Sequence, residues 1–255
     1  MDCNIKDLTN YQAVAEQARK ELSNDKNRFV PMEERRDTSA LSVDVFASLC
    51  HGKYMTFWRG VSILKDPLTL TANQQLLWEV KPRTVFDFGA YKGGSALWTA
   101  DMLKMFGCKS RVIAIDIDLS LLDPLARESP DVEFIEGDLF HVEKCFPADF
   151  LKSLPHPWFL MEDAHVNMVK VFEYFDAFTK PGDYICVEDT NPCLPNESNQ
   201  GLVKELGYTE KGPAKLNALK KFLTGRSDRY HVDQRYTDFF GHNATWNMNG
   251  YLKRV

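Results

Sequence analysis

The stretch that decides the fold is Thr84-Val-Phe-Asp-Phe-Gly-Ala-Tyr-Lys-Gly-Gly-Ser-Ala-Leu-Trp98. Its first five residues form an apolar run with one acid, which is typical of a buried strand. Gly89, Gly93 and Gly94 then predict a tight turn, because glycine adopts positive φ without steric cost. Apolar residues at helical spacing predict a helix over 95–105. A strand, a glycine turn and a helix start in this order form a cradle whose backbone N–H groups can face a ligand.

Alternation of strands and helices continues along the chain and predicts a doubly wound, Rossmann-like α/β sheet. The predicted strands are Thr84–Phe88, Arg111–Ile115, Val132–Glu136, Trp158–Met161 and Tyr184–Val187. The predicted helices are Ser95–Met105, Leu121–Arg127, 141–151, Asn167–Phe178 and Pro213–Leu223. Two tail segments, Tyr230–Phe239 and Gly250–Val255, predict a C-terminal antiparallel hairpin.

The first 63 residues differ in pattern from the rest and predict a small helical N-terminal extension, followed by the main domain at 64–255. Tyr11–Leu22 has the spacing of an amphipathic helix, and Leu41–Leu49 predicts a second one. Between them, the dense mixed charge of 24–38 predicts a mobile or partly ordered segment. Asp66-Pro67 predicts the start of the next helix, because proline is favoured at the first helical position.

Composition indicates a soluble globular enzyme or binding protein. The chain has 255 residues, 44% of them hydrophobic and 26% charged, and its net charge of −5 comes from interspersed acids and bases. A nucleic-acid surface would show a basic patch, and no apolar stretch approaches the length of a membrane span. Six cysteines without a C-x-x-C pair predict free thiols in a reducing, cytoplasmic environment, with no zinc site.

The spacing of the glycines favours one kind of nucleotide cradle over another. Dinucleotide-binding loops place a second glycine two residues after the first, and here that position is Tyr91. The pattern Asp87-x-Gly89-x-x-x-Gly93 resembles the cofactor loop of S-adenosylmethionine-dependent methyltransferases, with Ser95 opening the helix. The alternative is an ordinary strand–turn–helix with loop glycines.

Acids at the ends of the second and third strands are candidate contacts for a nucleoside. Asp116 can accept hydrogen bonds from both ribose hydroxyls, with Asp118 as a second candidate. Either could instead cap the following helix. Asp138 follows the third strand, where methyltransferases commonly place an acid that receives the adenine amino group. A simple Gly-Asp turn explains Asp138 equally well.

Two adjacent acidic pairs, Glu162-Asp163 and Glu188-Asp189, follow the fourth and fifth strands. Adjacent parallel strands lie about 5 Å apart, so both pairs could reach one ion. Carboxylate oxygens are the ligands that Mg²⁺ accepts. The pairs therefore predict a divalent-cation site, although solvated loop acids or helix caps could explain either pair alone. His165 beside this site is a candidate proton acceptor, or alternatively a packing or supporting residue.

These motifs together resemble the cephalosporin hydroxylase family, over most of the chain from about Phe57. The matching segments are Phe57-Trp-Arg-Gly-Val, Asp66-Pro, Gly93-Gly-Ser-Ala-Leu-Trp-Thr-Ala-Asp-Met, Ala114-Ile-Asp-Ile-Asp, Glu162-Asp-Ala-His, Glu188-Asp and Phe239-Phe-Gly-His-Asn. The resemblance implies a class I methyltransferase sheet and Mg²⁺ held by Asp163, Glu188 and Asp189. It also implies donor contacts from the Gly89–Ser95 loop, Asp116 and Asp138.

The family name promises hydroxylation, but the sequence shows no iron triad, so O-methyl transfer is the better-founded expectation. The predicted cofactors are S-adenosylmethionine and Mg²⁺ or another divalent cation, and His165 and Asp163 are the predicted catalytic residues. Family acceptors include antibiotic precursors and sugar hydroxyls, so we expect a small-molecule acceptor of natural-product or sugar type. Side chains predicted to line its pocket are Trp58, Arg59, His242 and Trp246, and we expect a homo-oligomer.

Two other functions remain open from the sequence. A nicotinamide-dependent Rossmann oxidoreductase would share the fold, but Tyr91 in the glycine loop and the acidic strand ends disfavour it. A non-catalytic nucleoside-binding scaffold would share both fold and cradle, but it would have no need for the paired acids.

Overall fold

A computed structural model describes residues 10–22, 26–191 and 212–255. Its strands are β1 Phe29–Val30, β2 Phe57–Trp58, β3 Val61–Ser62, β4 Thr84–Phe88, β5 Arg111–Asp116, β6 Val132–Glu136, β7 Trp158–Glu162, β8 Tyr184–Val187, β9 Tyr230–Asp233 and β10 Tyr251–Arg254. The helices are α1 Tyr11–Leu22, α2 Val43–Lys53, α3 Pro67–Val80, α4 Gly94–Met105, α5 Pro124–Arg127, α6 Val142–Cys145, α7 Ala148–Ser153, α8 Met168–Asp176, α9 Pro213–Leu223 and α10 Gln234–Thr237.

Eight strands form one mixed sheet in the order β1-β9-β10-β8-β7-β4-β5-β6, while β2 and β3 form a separate hairpin. Strands β6, β5, β4, β7 and β8 run parallel, as predicted. The direction of strand order reverses beside β4, and ligands of open α/β sheets bind at such a reversal. β4 leads directly into the glycine loop, so the predicted cradle lies at this crevice.

The C-terminal antiparallel hairpin is confirmed, although its first strand is shorter than expected. β10 pairs antiparallel with both β9 and β8. The predicted strand Tyr230–Phe239 ends at Asp233, because the Asp233 side chain accepts a hydrogen bond from the Arg235 N–H and starts α10. The segment from Asn243 to Gly250 is then buried against the end of the sheet.

Prolines interrupt two of the predicted helices. Residues 121–127 form a 3₁₀ turn and then the short α5, because Pro124 holds Asp123 in an extended conformation. Residues 141–151 divide into α6 and α7 at Pro147, because the residue before a proline is disfavoured in the helical conformation and Phe146 leaves it. In contrast, α3 starts as predicted, since Asp66 accepts hydrogen bonds from the N–H groups of Leu68 and Thr69.

The charged N-terminal segment contributes an edge strand, which its composition alone did not predict. β1 pairs antiparallel with β9. Beside it, the buried Arg28 guanidinium donates to both Asp233 carboxylate oxygens at 2.8–3.1 Å and contacts Glu79 at 2.7 Å. The described part of the predicted mobile segment, 26–38, is therefore attached to the main sheet. The division of the chain at residue 63 stays a prediction.

β4 is buried on both faces and gives the crevice a rigid floor. Phe86 and Phe88 pack edge-on against Phe146 and Phe175 on one face. On the other face Val85 joins a second apolar cluster. Within the described residues, no helix is long and apolar enough to cross a membrane.

Candidate functional site

The glycine loop after β4 packs against the loop that follows β7. Gly89 has φ +100°, and a Cβ there would lie 2.8 Å from the carbonyl carbon and oxygen of Asp163. Gly93 has φ +82° at the start of α4, where a Cβ would lie 2.7 Å from the Ala126 Cβ. Side chains at these two positions would therefore displace backbone or α5. This close approach joins the cradle directly to the acidic motif.

Asp116 lies at the end of β5 and faces the glycine loop. Its Oδ2 accepts a hydrogen bond from the Tyr91 N–H at 2.7 Å, and its Oδ1 accepts one from the Asp118 N–H at 3.3 Å. Tyr91 itself has φ +45°, and its ring is exposed. The carboxylate is thus fixed at the mouth of the cradle, where the sequence placed a ribose contact.

The other two predicted nucleoside acids act as turn caps. Asp118 is exposed and accepts a hydrogen bond from the Ser120 N–H at 2.8 Å. The Ser120 hydrogen bonds lower the pKa of Asp118. Asp138 accepts from the Phe140 N–H at 2.8 Å. These are the capping alternatives that the sequence left open, and a nucleoside contact by either side chain stays a prediction.

Asp87 lies beneath the loop and is buried. Ser95, in the first turn of α4, donates its hydroxyl to Asp87 at 2.7 Å. Burial raises the pKa of Asp87 to about 6, against the opposing effects of Lys65 and Ser95. Asp87 therefore ties the end of β4 to the start of α4 and carries a charge that depends on pH near neutrality.

Three of the predicted acidic-site residues meet beyond the ends of β7 and β8. Asp163, His165 and Asp189 each offer a ligand atom, and these atoms lie within 4.8 Å of one another. Glu188 adjoins this group and is buried. We call Asp163, His165, Glu188 and Asp189 the acidic cluster. The ends of β7 and β8 thus bring these side chains close together, and their role as metal ligands stays a prediction.

Lys65 is the most central of the lysines at this site that sequence reasoning missed. Its ammonium lies 2.7 Å from Asp163 Oδ2 and 2.5 Å from Glu188 Oε2, and its side chain is only 7% exposed. Burial opposes its charge, but the Asp163, Glu188 and Asp87 carboxylates outweigh burial and raise the pKa of Lys65 well above its usual value. Lys65 is therefore a charged ammonium between two predicted metal ligands.

The pKa values of Asp163 and Glu188, the two carboxylates that contact Lys65, shift in opposite directions. Burial acts to raise the pKa of Asp163, but Lys65 and His165 outweigh it and hold that pKa well below the usual range. For Glu188 burial dominates and raises the pKa to about 8, in spite of Lys65. Asp163 is therefore ionised near neutral pH, whereas burial favours the protonated form of Glu188.

Two further lysines border the acidic cluster, one partly and one fully buried. Lys53, at the end of α2, lies 3.5 Å from Asp189 Oδ1. Lys215, in the first turn of α9, is fully buried and lies 2.8 Å from Glu162 Oε2. Lys215 also occupies the apolar stripe of α9, four residues before Leu219, and this placement was a signal available in the sequence.

His165 lies between carboxylates on one side and Lys215 on the other. Its Nε2 is 3.1 Å from Asp163 Oδ1 and 3.5 Å from Asp189 Oδ2, and its Nδ1 is 3.3 Å from Lys215 Nζ. An ammonium can only donate, so this network assigns the ring proton to Nε2. This tautomer favours an orienting role for His165, and proton acceptance by His165 stays a prediction.

The four side chains predicted to line an acceptor pocket lie in two separate parts of the structure. Trp58 Nε1 donates to Asp101 at 2.7 Å, and Arg59 pairs with the same carboxylate at 3.2 Å. His242 and Trp246 lie on the C-terminal loop. Trp246 is buried, stacked on Phe46 at 4.4 Å between ring centroids.

Only Trp246 has a described link to the acidic cluster, because Lys53 lies over its ring at 5.5 Å and also contacts Asp189. His242 instead lies 3.7 Å from Asp238, and burial lowers its pKa. A shared acceptor pocket for all four residues stays a prediction.

The sheet order, the glycine cradle and the acidic strand ends define a Rossmann-like fold of the methyltransferase type. Residues 51–255 match the family model described as Rhamnosyl O-methyltransferase/CmcI. The chain therefore belongs to this family. The predicted resemblance and the methyltransferase class are confirmed at this level.

Curated relatives carry the same family name. A Rhamnosyl O-methyltransferase of Mycobacterium leprae is 33% identical over 148 residues, which are 55% of this chain and 64% of that protein, less than two thirds of its length. One from Mycobacterium tuberculosis strain H37Rv is 28% identical over 207 residues, 78% of each chain.

Solved structures of CmcI share the fold. A structure described as its Mg–SAM form has a TM-score of 0.61 at 24% identity and covers 90% of this chain and 92% of that one. An apo structure of CmcI has a TM-score of 0.62, again at 24% identity, and covers 90% and 91%.

Proposed function

We propose that this protein is an S-adenosylmethionine-dependent O-methyltransferase that uses a divalent cation and acts on a hydroxyl of a small molecule. The observation that carries the proposal is the contact between the glycine loop after β4 and the loop after β7 that bears part of the acidic cluster. Gly89 of the cradle packs on the Asp163 backbone, so a nucleoside in the cradle and an ion in the acidic cluster would be neighbours. Family membership and a CmcI relative described with Mg and SAM support the same function.

The residues present suit a divalent cation with oxygen ligands. Asp163, Glu188 and Asp189 supply the carboxylates that Mg²⁺ prefers. Glu188 Oε1 is buried and accepts no hydrogen bond from any residue that the structure describes. A buried carboxylate oxygen without a partner is costly unless something positive approaches it. We assign the cation to these three carboxylates, with His165 at their border.

The chain's own residues would chiefly align the reactants. When bound, the cation would lower the pKa of an acceptor hydroxyl, and S-adenosylmethionine would supply an already activated methyl group. Asp116 would hold the ribose, while Gly89 and Gly93 allow the backbone to approach the nucleoside. His165 would orient Asp163 and Asp189, and acceptance of the acceptor proton at Nε2 would require the ring proton to move to Nδ1, the nitrogen that faces Lys215. Alignment of this kind supplies much of the rate enhancement in group transfer.

We assign the acceptor to the natural-product or sugar class, following the names of the relatives. The N-terminal 63 residues would form a cap on the acceptor side, because Lys53 of α2 reaches Asp189. A homo-oligomer in the cytoplasm completes the proposal, and the free thiols of the described cysteines suit a reducing compartment.

Calorimetric titration of the full chain tests the cofactor class. We expect binding of S-adenosylmethionine and S-adenosylhomocysteine and none of NAD, because the second dinucleotide glycine is replaced by Tyr91. Binding of NAD in preference to the methyl donor would favour an oxidoreductase. Nucleoside binding by a protein that binds no divalent cation would favour a non-catalytic scaffold.

A further inference from the structure

Lys65 occupies the space between two of the proposed metal ligands. Its ammonium contacts Asp163 Oδ2 and Glu188 Oε2 at once, at 2.7 and 2.5 Å. The distances are those of charge-assisted hydrogen bonds. An ammonium in this position partly neutralises both carboxylates, as a bound metal cation would.

The backbone around Lys65 is firmly held, so its position is built into the fold. Leu64 before it has φ +52°, an uncommon conformation for a residue with a branched side chain. Asp66 after it is buried and caps α3. The flexible part is the side chain itself, whose four methylenes allow the ammonium to move while the backbone stays in place.

The net charge around the acidic cluster favours binding of a divalent cation only if the Lys65 ammonium moves away from the carboxylates. Four carboxylates, Glu162, Asp163, Glu188 and Asp189, face three lysines, Lys53, Lys65 and Lys215. With Glu188 deprotonated, as metal binding requires, and His165 counted as neutral, these groups sum to one negative charge, so a divalent ion would over-compensate them. Of the lysines, only Lys65 contacts two of the three proposed ligands.

We propose that Lys65 is an internal cation that competes with the divalent metal for the Asp163 and Glu188 carboxylates. It stabilises the metal-free protein by separating these two acids. It also weakens metal binding, so that the ion binds and leaves readily between turnovers. This inference rests on the proposed metal site and adds to it a residue that sets its affinity.

The test is a calorimetric titration of Mg²⁺ alone into the metal-free full chain. Lys65→Met keeps the length of the side chain and removes its charge, so we expect Mg²⁺ to bind at least about tenfold more tightly than to the wild type, since one nearby positive charge is lost. Lys65→Arg keeps the charge and should bind like the wild type. Lys220→Met removes an exposed lysine that pairs with Asp37, and it should change the affinity by less than about twofold.

Folding of each variant is checked by its affinity for S-adenosylhomocysteine, whose proposed contacts do not include Lys65. If Lys65→Met does not fold without metal, Lys65→Gln replaces it and should shift the Mg²⁺ affinity in the same direction. Equal or weaker Mg²⁺ binding by a folded neutral variant would overturn the inference alone. If neither the wild type nor any variant binds Mg²⁺, the metal site of the proposed function is wrong and the inference falls with it.

Discussion

At the scale of single residues, Asp116 is the clearest link between the loop and a nucleoside. One of its oxygens holds the Tyr91 N–H at 2.7 Å, and the other receives the Asp118 N–H at 3.3 Å. Each oxygen still has a lone pair to offer. Asp116 can therefore order the glycine loop and accept from ribose hydroxyls together.

Replacement of Asp116 by alanine should weaken S-adenosylhomocysteine binding by about 1–3 kcal/mol, because the ribose hydroxyls would lose their partner. Titration calorimetry measures the loss. Asp118→Ala is the matched control, since Asp118 is exposed and caps a turn. Equal losses in the two variants, or no loss in Asp116→Ala, would show that the ribose acid is assigned wrongly.

Asp87 should make the stability of the metal-free protein depend on pH. Its pKa is about 6 in the folded chain against a usual 3.8, so the folded state binds the proton more tightly than the unfolded one. The contribution is present below pH 4 and is lost as the pH rises through 6. For a shift of this size it is on the order of 3 kcal/mol.

Urea unfolding of the wild type and Asp87→Asn at pH 4, 5, 6 and 7 measures this contribution. Asparagine can still accept from Ser95 but cannot ionise. The stability of the wild type should therefore fall relative to Asp87→Asn across this range. A difference that stays constant with pH would mean that Asp87 does not titrate there.

At the scale of elements, the site depends on segments far apart in the chain. Lys53 ends α2, Lys65 precedes α3 and Lys215 lies in the first turn of α9, and all three reach acids at the ends of β7 and β8. The edge strand β1 is similarly attached through Arg28 and Asp233. Buried ion pairs thus connect the N-terminal extension to the sheet.

Arg28→Met should destabilise the protein by about 3–5 kcal/mol, because it leaves the Asp233 carboxylate buried without its charged partner. The matched control is Arg111→Met, since Arg111 donates two hydrogen bonds to Oε2 of Glu133 but both side chains are 43% exposed. That exposed pair should contribute at most about 1 kcal/mol. Chemical denaturation compares the two variants, and similar losses would contradict a buried anchor for β1.

Features encoded by local sequence patterns were predicted correctly, whereas features that depend on contacts between distant parts of the chain were missed. The five parallel strands follow from apolar runs, and the acidic cluster follows from acids at strand ends. Lys65 could not be found in this way, because its partners lie 98 and 123 residues away. The strand β1 was not predicted either, because its two residues lie in a charged segment and are too few to show periodicity. Its contact between Arg28 and Asp233 forms only in the folded chain.

At the scale of the whole molecule, the two proposed binding sites share one edge of the sheet. The proposed nucleoside contacts follow β4, β5 and β6, and the acidic cluster follows β7 and β8, with Gly89 packed on Asp163 where the two meet. Because the side chains of the two sites follow different strands, donor binding and metal binding should be separable by mutation, although the proposed methyl transfer needs both. Asp163→Asn should bind S-adenosylhomocysteine like the wild type and lose methyl transfer.

The central claim is divalent-cation-dependent methyl transfer to a hydroxyl, and transfer of labelled methyl from S-adenosylmethionine to a panel of sugars and phenols tests it most directly. We expect labelled product from at least one hydroxyl acceptor. Excess chelator should abolish the transfer, and added Mg²⁺ should restore it in the wild type but not in Asp163→Asn. Transfer at the full rate in excess chelator would contradict the account, because the acidic cluster would then have no catalytic cation to hold.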